Sequence, residues 1–151
     1  MRGRGAAAVA LFLSLSAATA SAATDEVPLM RTGHGRALVV EASVNGRFTG
    51  RFLLDTGATL CVVSKDTARR AMIKGRAGGS KIHLTTPAGV IEATLAEAYR
   101  IEVGSASARD VEVAVVDEDP TPGLDGLLGL SFLNRFSYSV DPEKGVLRLR
   151  R

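Results

Sequence analysis

The sequence predicts a mostly-β domain with one or two short helices. Short β-prone runs recur from Ala37 to the end of the chain, and turn-forming residues separate them. Apolar and β-branched runs bounded by turn signals are typical of strands. A helical pattern is confined to two segments, one after Ser64 and one around Ser131. The chain has no internal repeat, which favours a single domain.

The first 22 residues have the pattern of a secretory signal peptide. Arg2 and Arg4 precede an almost wholly apolar run at residues 6–15, and Ala20-Ser21-Ala22 offers small residues at a cleavage position. We therefore predict a signal peptide at residues 1–22, with an uncleaved anchor as the alternative, and a single domain at residues 23–151. The protein is then exported and either periplasmic, secreted or anchored to the inner membrane. Contact with a membrane is expected only if the segment stays uncleaved.

Charge and cysteine content argue against several classes of function. The formal net charge of +3 includes Arg2 and Arg4, so residues 23–151 are close to neutral. They carry no basic patch with interleaved aromatic residues, and we expect no nucleic-acid partner.

Cys61 is the single cysteine, so we expect no internal disulfide and a role in core packing. His34 and His83 lie far apart in the sequence, and we expect neither a metal nor an organic cofactor.

The first predicted element is a β-hairpin. Residues 37–44 and 47–55 are β-prone and flank Asn45-Gly46. Asn-Gly between two such runs is a strong hairpin signal, because both residues tolerate positive φ. The second arm ends at Asp55, which we expect to be buried between the apolar run before it and the apolar patch that follows.

A short helix and a second hairpin come next. Ser64 is a favourable N-cap for a helix over residues 65–72, and Gly75 is the predicted stop. A flexible break is predicted at residues 78–80. Residues 81–95 form two extended arms around Thr86-Pro87-Ala88-Gly89, which predicts a hairpin with an exposed tip.

Two further strands and an acidic loop are predicted in the middle of the chain. Residues 98–104 and 109–117 are β-prone, and the second run alternates valine with other residues. Residues 117–120 are acidic but lack the regular ligand spacing of a calcium loop, which favours a solvated turn.

The last part of the chain predicts four elements. Residues 126–150 indicate a short apolar strand, a helix capped by Ser131, a strand at residues 138–140 and, after a Pro-Glu-Lys-Gly turn, a final strand. The helical spacing of Phe132, Leu133 and Phe136 favours a core face over a ligand pocket. The alternating apolar and basic residues at the end of the chain predict either an edge strand protected by charge or an interface strand.

Asp55-Thr56-Gly57 is the motif that points to chemistry. A buried carboxylate is costly unless it is hydrogen-bonded or used. Gly57 has no side chain, so a backbone N–H can approach the carboxylate, and Thr56 supplies a hydroxyl that can bond to the backbone of a symmetric neighbour. These residues therefore predict a carboxylate held in a fixed orientation by a tight loop.

Asp55-Thr56-Gly57-Ala58-Thr59 resembles the active-site loop of the aspartic proteases. Its setting is similar to the retropepsin-like branch, in particular to small bacterial members with an N-terminal signal or anchor. The loop follows an Asn-Gly hairpin, a hairpin tipped by Pro-Ala-Gly comes about 30 residues later, and Leu127-Leu128-Gly129 leads into a short helix. The resemblance extends from about Leu29 to the C-terminus. It implies a closed retropepsin-like acid-protease β-barrel.

The resemblance also implies roles for the residues of the loop. Asp55 matches the catalytic aspartate, whose carboxylate holds the attacking water. Thr56 is similar to the residue whose hydroxyl locks the two loops of a dimer together. Gly57 resembles the glycine that supports the carboxylate, Ala58 lies in the floor of the cleft, and Thr59 completes the loop.

Two other segments match the family more loosely. Residues 86–90 occupy the place of the flap, a mobile hairpin that folds over bound peptide. The flap residues are then Thr86, Pro87, Ala88, Gly89 and Val90. Leu127, Leu128 and Gly129 resemble the second signature of the family.

The resemblance implies an aspartic endopeptidase that hydrolyses peptide or protein substrates. The chemistry needs two carboxylates close together that share one proton, and the chain contains a single Asp-Thr-Gly. The second carboxylate is therefore expected from a second copy of the chain, in a C2 homodimer with the site on the axis. No cofactor is implied.

Three alternatives remain open at this point. The same cleft and flap could serve a noncatalytic peptide-binding module. Asp55 could be a structural residue of a different small β-barrel. Asp125 could be proposed as an internal second carboxylate, but it lacks the threonine and the preceding apolar strand of Asp55, so a structural role in a turn is favoured.

Overall fold

The computed structural model describes residues 24–32, 37–75 and 79–151. The predicted signal peptide and part of the predicted break at residues 78–80 lie outside the described residues. Within them, twelve strands and two short helices are found. The strands are β1 (Thr24–Pro28), β2 (Met30–Arg31), β3 (Leu38–Val44), β4 (Phe48–Leu54), β5 (Cys61–Ser64), β6 (Lys74–Gly75), β7 (Lys81–Thr86), β8 (Gly89–Val103), β9 (Ala106–Val116), β10 (Gly126–Leu128), β11 (Ser137–Asp141) and β12 (Val146–Arg150); the helices are α1 (Lys65–Arg70) and α2 (Leu130–Leu133).

The predicted hairpin at Asn45-Gly46 is confirmed and joins β3 to β4. Asn45 has φ 56° and Gly46 has φ 62°, and Arg47 N donates to Val44 O at 3.1 Å. The two residues are therefore the centre of a β-turn that needs positive φ at both positions. The Asn45 side chain also holds neighbouring segments: its Nδ2 donates to Ala71 O at 2.9 Å, and its Oδ1 accepts from Arg100 N at 3.0 Å. The turn is thereby fixed to the rest of the barrel.

The larger sheet has the strand order β2-β3-β4-β10-β5-β9-β8-β6, with β7 paired to β8. A short pairing of β3 with β8, Ser43 opposite Glu102 and Val44 opposite Ile101, brings the sheet back onto itself. The predicted mostly-β fold with two short helices is confirmed. The barrel is joined only at this end of the strands, so it is not closed along its whole length.

β8 is one continuous strand of 15 residues. The prediction of separate strands before and after residue 96 was wrong. Ala96 and Ala98 stay in register with Val113 and Val111 of β9, and both alanines are buried. Small side chains let the strand pass through the packed interior without a turn.

Helix α1 begins as predicted but ends earlier. Ser64 Oγ accepts from Thr67 N at 3.2 Å, which caps the helix. The helix ends in a Schellman motif, in which Ile73 N donates to Ala68 O at 2.9 Å and Met72, at φ 52°, takes the left-handed position. The predicted stop at Gly75 was therefore wrong, because Met72 takes the conformation that glycine usually provides.

Helix α2 is not capped by Ser131, contrary to the prediction. Gly129 is the N-cap residue, with no capping side chain. The Ser131 hydroxyl instead accepts from Cys61 N at 2.9 Å and donates to Glu112 O at 2.8 Å. Its side chain thus joins two strands to the helix.

A separate three-stranded sheet has the order β1-β12-β11. Thr24 lies opposite Arg150, and Pro28 lies opposite Val146. The two C-terminal strands were predicted, but β1 was not. The first strand of the described chain therefore pairs with the last.

The core fills the space between the barrel and the C-terminal sheet. Phe132 and Leu133 are fully buried, and the rings of Phe132 and Phe136 lie 5.2 Å apart, as the predicted core face requires. Cys61 is buried, and this burial raises the pKa of its thiol, so it behaves as a packing residue.

Within the described ranges, no helix has both the length and the apolar character needed to cross a membrane.

Candidate active site

Asp55 lies directly after β4, where this strand runs beside β10. The two strands are parallel, with Leu54 opposite Leu128. Asp55 N donates to Leu128 O at 3.1 Å. The structure thus brings the Asp55 loop and the predicted second signature into direct contact, although about 70 residues separate them in sequence.

The loop holds the carboxylate through a backbone amide. Gly57 N donates to Asp55 Oδ1 at 2.8 Å, and Ala58 N donates to Asp55 O at 3.3 Å. A Cβ atom on Gly57 would lie 3.2 Å from Asp55 Oδ1, so glycine leaves the carboxylate room at this contact. A backbone N–H that binds the charged form fixes the orientation of the carboxylate.

Gly129 of the second signature supports the same loop from behind. A Cβ atom at this position would lie 2.3 Å from Leu60 O and 2.7 Å from Ala58 O. The backbone continues the contact, since Leu130 N donates to Ala58 O at 2.8 Å and Ser131 N donates to Thr59 O at 2.9 Å. The close approach of two backbone segments therefore depends on the absence of a side chain at residue 129.

Two supporting residues were missed at the level of sequence. Gly129 N donates to Cys61 Sγ at 3.4 Å, and the Ser131 hydroxyl accepts from Cys61 N. Cys61 and Ser131 thus connect the strand after the loop to the second signature. Their closeness to the two motifs in sequence was the available signal, but a hydrogen bond between residues 70 positions apart has no local sequence pattern.

The Asp55 loop faces outward in the single chain. Asp55 is half-buried, whereas Thr56, Gly57 and Thr59 are exposed. The expectation that Asp55 is buried between two apolar segments was therefore wrong for one copy of the chain. The apolar residues lie on the strands, and the loop projects beyond them.

The predicted flap is a hairpin formed by β7 and β8. Thr86 pairs with Gly89, with Pro87 and Ala88 at the tip. Thr86 Oγ1 donates to Gly89 O at 2.8 Å and accepts from Ala88 N at 3.2 Å, and Gly89 adopts φ 126°. Val90 is 64% exposed, so the hairpin carries an apolar side chain at the surface of the chain.

Asp125 has a structural contact. Its Oδ2 accepts from Arg51 N at 2.8 Å, and its own amide donates to Arg51 O at 2.8 Å. Arg51 Nη2 also donates to Gly123 O at 3.0 Å. Asp125 therefore fastens the loop before β10 to the middle of β4, in agreement with a turn role.

No group of three or more metal-ligating side chains comes together in the part of the chain that the structure describes. The residues 117–123 form an irregular loop there, and Asp117 pairs with Lys65 at 2.6 Å. The hydrogen bond from Lys65, followed by the charge of Lys65, lowers the pKa of Asp117.

Comparison with known proteins shows which family and which fold the chain resembles. A family model described as "gag-polyprotein putative aspartyl protease" matches residues 40–135. A solved structure described as a retropepsin-like aspartic protease from Rickettsia conorii is 23% identical, with a TM-score of 0.64, and the match covers 86% of this chain and 93% of that chain. A search of curated proteins gives no match.

The two comparisons support different statements. At 23% identity the Rickettsia structure shows a common fold. The family model spans well over half of the chain and includes both the Asp55 loop and Leu127-Leu128-Gly129. The chain therefore belongs to the retropepsin-like aspartic protease family.

Proposed function

We propose that this protein is an aspartic endopeptidase whose active site forms from Asp55 of two copies of the chain in a homodimer. The observation that carries the proposal is the Asp55 carboxylate, held by the Gly57 amide at 2.8 Å in an exposed loop. Membership of the retropepsin-like family supports it. Thr56 and Thr59 complete the exposed part of the loop.

The proposed chemistry follows from the closeness of two identical carboxylates. In aspartic proteases two such groups about 3 Å apart share one proton, because both cannot ionise at this distance. One carboxylate accepts a proton from water, which attacks the scissile carbonyl, while the protonated partner polarises the carbonyl oxygen. The pair titrates as a unit, so the two apparent pKa values belong to the dyad.

The homodimer accounts for the exposure of the loop. A single chain contains one Asp-Thr-Gly, and Thr56 and Gly57 lie at the surface of that chain. A two-fold axis beside the loop would bring two Asp55 residues together and let each Thr56 hydroxyl bond to the partner's backbone. The β7–β8 hairpin would then cover an extended peptide in the cleft.

The proposal includes an exported location and a peptide or protein substrate. The location is supported by the basic, apolar and small-residue regions of residues 1–22. The reaction needs no metal and no organic cofactor, since water and two carboxylates supply every group that it uses.

The decisive variant is Asp55→Asn, which keeps the shape of the side chain and removes the proton-accepting group. We expect cleavage of a peptide library, scanned from acidic to neutral pH, to fall by about 10³-fold or more. The matched control is Asp66→Asn, since Asp66 is an exposed carboxylate of α1 that pairs with Arg69. The control should cleave within about twofold of the wild type.

Circular dichroism of both variants checks that the fold is kept. Undiminished cleavage by the Asp55→Asn protein would place the chemistry elsewhere. A wild-type protein that binds library peptides but cleaves none at any pH would favour the noncatalytic peptide-binding module.

A further inference from the structure

A cavity of about 680 Å³ opens at the surface beside the ends of β8 and β9 that are remote from the flap. Four of its seven lining residues are arginines, and one is an aspartate. We call this cavity the arginine pocket. Its lining consists of Arg100, Ser107, Ala108, Arg109, Asp110, Arg135 and Arg151.

The register of the sheet places two of these arginines directly opposite each other. Arg100 of β8 pairs with Arg109 of β9, and like charges at such positions are destabilising. Glu102 Oε2 lies 3.5 Å from Arg100 Nε and offsets part of the repulsion. Arg100 Nε is nevertheless a buried atom that lacks a hydrogen-bond partner in the described part of the chain. An anion in the pocket would relieve the remaining repulsion.

The other guanidinium groups are held in place by neighbouring groups. Arg135 Nη2 donates to Asp110 O at 3.1 Å, and Arg151 Nη2 donates to Ser107 O. The Arg109 guanidinium lies 5.4 Å from the centre of the Tyr99 ring. A guanidinium carries five N–H donors, so a contact to one carbonyl does not exhaust it. Side chains that are already positioned lose less entropy when a ligand binds.

The guanidinium N–H donors of the arginine pocket indicate which class of ligand it can bind. Guanidinium groups bind phosphate and carboxylate oxygens through paired N–H donors, which fit tetrahedral and planar oxyanions. A volume of about 680 Å³ is within the usual range of small-molecule sites, about 300–1,000 Å³. The pocket therefore has room for more than one phosphate group, with several positive charges to neutralise them.

We propose that the arginine pocket is a binding site for a ligand that carries phosphate groups. The ligand is either a free polyphosphate or the phosphate headgroup of an anionic lipid, since both present the same chemistry. Arg100 lies roughly 35 Å along β8 from Gly89 at the flap. The site is thus separate from the flap, and it does not depend on the proposed protease activity.

The test measures binding in two arms at constant ionic strength. One arm titrates the protein with inorganic tripolyphosphate by calorimetry, and the other measures co-sedimentation with vesicles of phosphatidylglycerol in phosphatidylcholine. The test variant is Arg109→Gln with Arg135→Gln, both exposed in the pocket. We expect its dissociation constant to rise at least tenfold in the arm that binds, because each substitution removes a charge-assisted donor pair.

The control variant removes the same charge from another surface. Lys144→Gln with Arg150→Gln alters two exposed residues, neither of which lines the arginine pocket. Its dissociation constant should change by less than about threefold. Arg109→Lys with Arg135→Lys keeps the charge and should give an intermediate loss.

The results of the two arms show whether the site exists and which source of phosphate it binds. Binding in either arm that depends on Arg109 and Arg135 supports the site, and the arm that binds identifies the source of the phosphate. Equal loss in the test and control variants would show a general charge effect and overturn the proposal. Absence of wild-type binding in both arms would overturn it as well.

Discussion

Gly129 is the residue at which the predicted second signature contacts the Asp55 loop. The Asp55 loop passes so close behind it that a Cβ atom would meet the carbonyl oxygens of Leu60 and Ala58. Both are backbone atoms, which cannot rotate away as a side chain can. The position of the loop, and with it the orientation of the Asp55 carboxylate, therefore depends on the absence of a side chain at residue 129.

Gly129→Ala should accordingly destabilise the protein by about 3 kcal/mol, because overpacking against backbone forces a main-chain shift. Urea unfolding followed by circular dichroism measures the change. Gly75→Ala is the matched control, since a Cβ atom there meets nothing within 4 Å, and its free energy of unfolding should change by less than about 0.5 kcal/mol. Equal stability of the two variants would mean that the loop moves freely away from residue 129.

At the scale of elements, Ser131 joins three parts of the fold that are distant in sequence. Its hydroxyl bonds to the amide of Cys61 in β5 and to the carbonyl of Glu112 in β9, while its backbone belongs to α2. The hydroxyl serves as donor and as acceptor at once. It makes one hydrogen bond to a backbone group of each strand.

We expect Ser131→Ala to lower the free energy of unfolding by about 2 kcal/mol, because two partly buried hydrogen bonds, to the Cys61 amide and the Glu112 carbonyl, are lost. Ser139→Ala, an exposed position of β11, should change it by less than about 0.5 kcal/mol. Denaturant unfolding of both variants against the wild type gives the comparison. A loss for Ser131→Ala no larger than that of Ser139→Ala would contradict the role of the hydroxyl.

The elements show what local sequence can and cannot predict. The Asn45-Gly46 hairpin and the Ser64 cap were predicted because short-range chemistry determines them. The continuity of β8 and the role of Ser131 were missed because they depend on partners far away in the chain. β1 was missed for the same reason: its sequence is polar, and its pairing partner β12 lies at the other end of the described chain.

At the scale of the whole molecule, the proposed active site requires two copies of the chain. The geometry of one chain supplies one oriented carboxylate in an exposed loop. Sequence motifs predicted that loop and the segment Leu127-Leu128-Gly129, because both are short and ordered along the chain, but not the contact between them. They could not predict the exposure of the loop, which depends on how far it projects from the packed strands.

Mixing experiments test the shared site without a structure of the dimer. When Asp55→Asn protein is added in roughly ninefold excess and chains exchange, about nine in ten wild-type chains should enter mixed dimers. Cleavage per wild-type chain should then fall by close to tenfold, as measured with a fluorogenic peptide. Addition of a protein unable to pair, such as serum albumin, controls for competition. Unchanged activity per wild-type chain would show that one copy suffices.

The pairing of β1 with β12 leaves the two ends of the described chain side by side. Thr24 lies opposite Arg150 in neighbouring antiparallel strands, where Cα atoms are about 5 Å apart. A link of a few residues could therefore join the ends into a circle, and new ends could be opened in the exposed loop at Glu118 and Asp119. Circular permutation would then change the order of the strands in the gene while it keeps their order in the sheets.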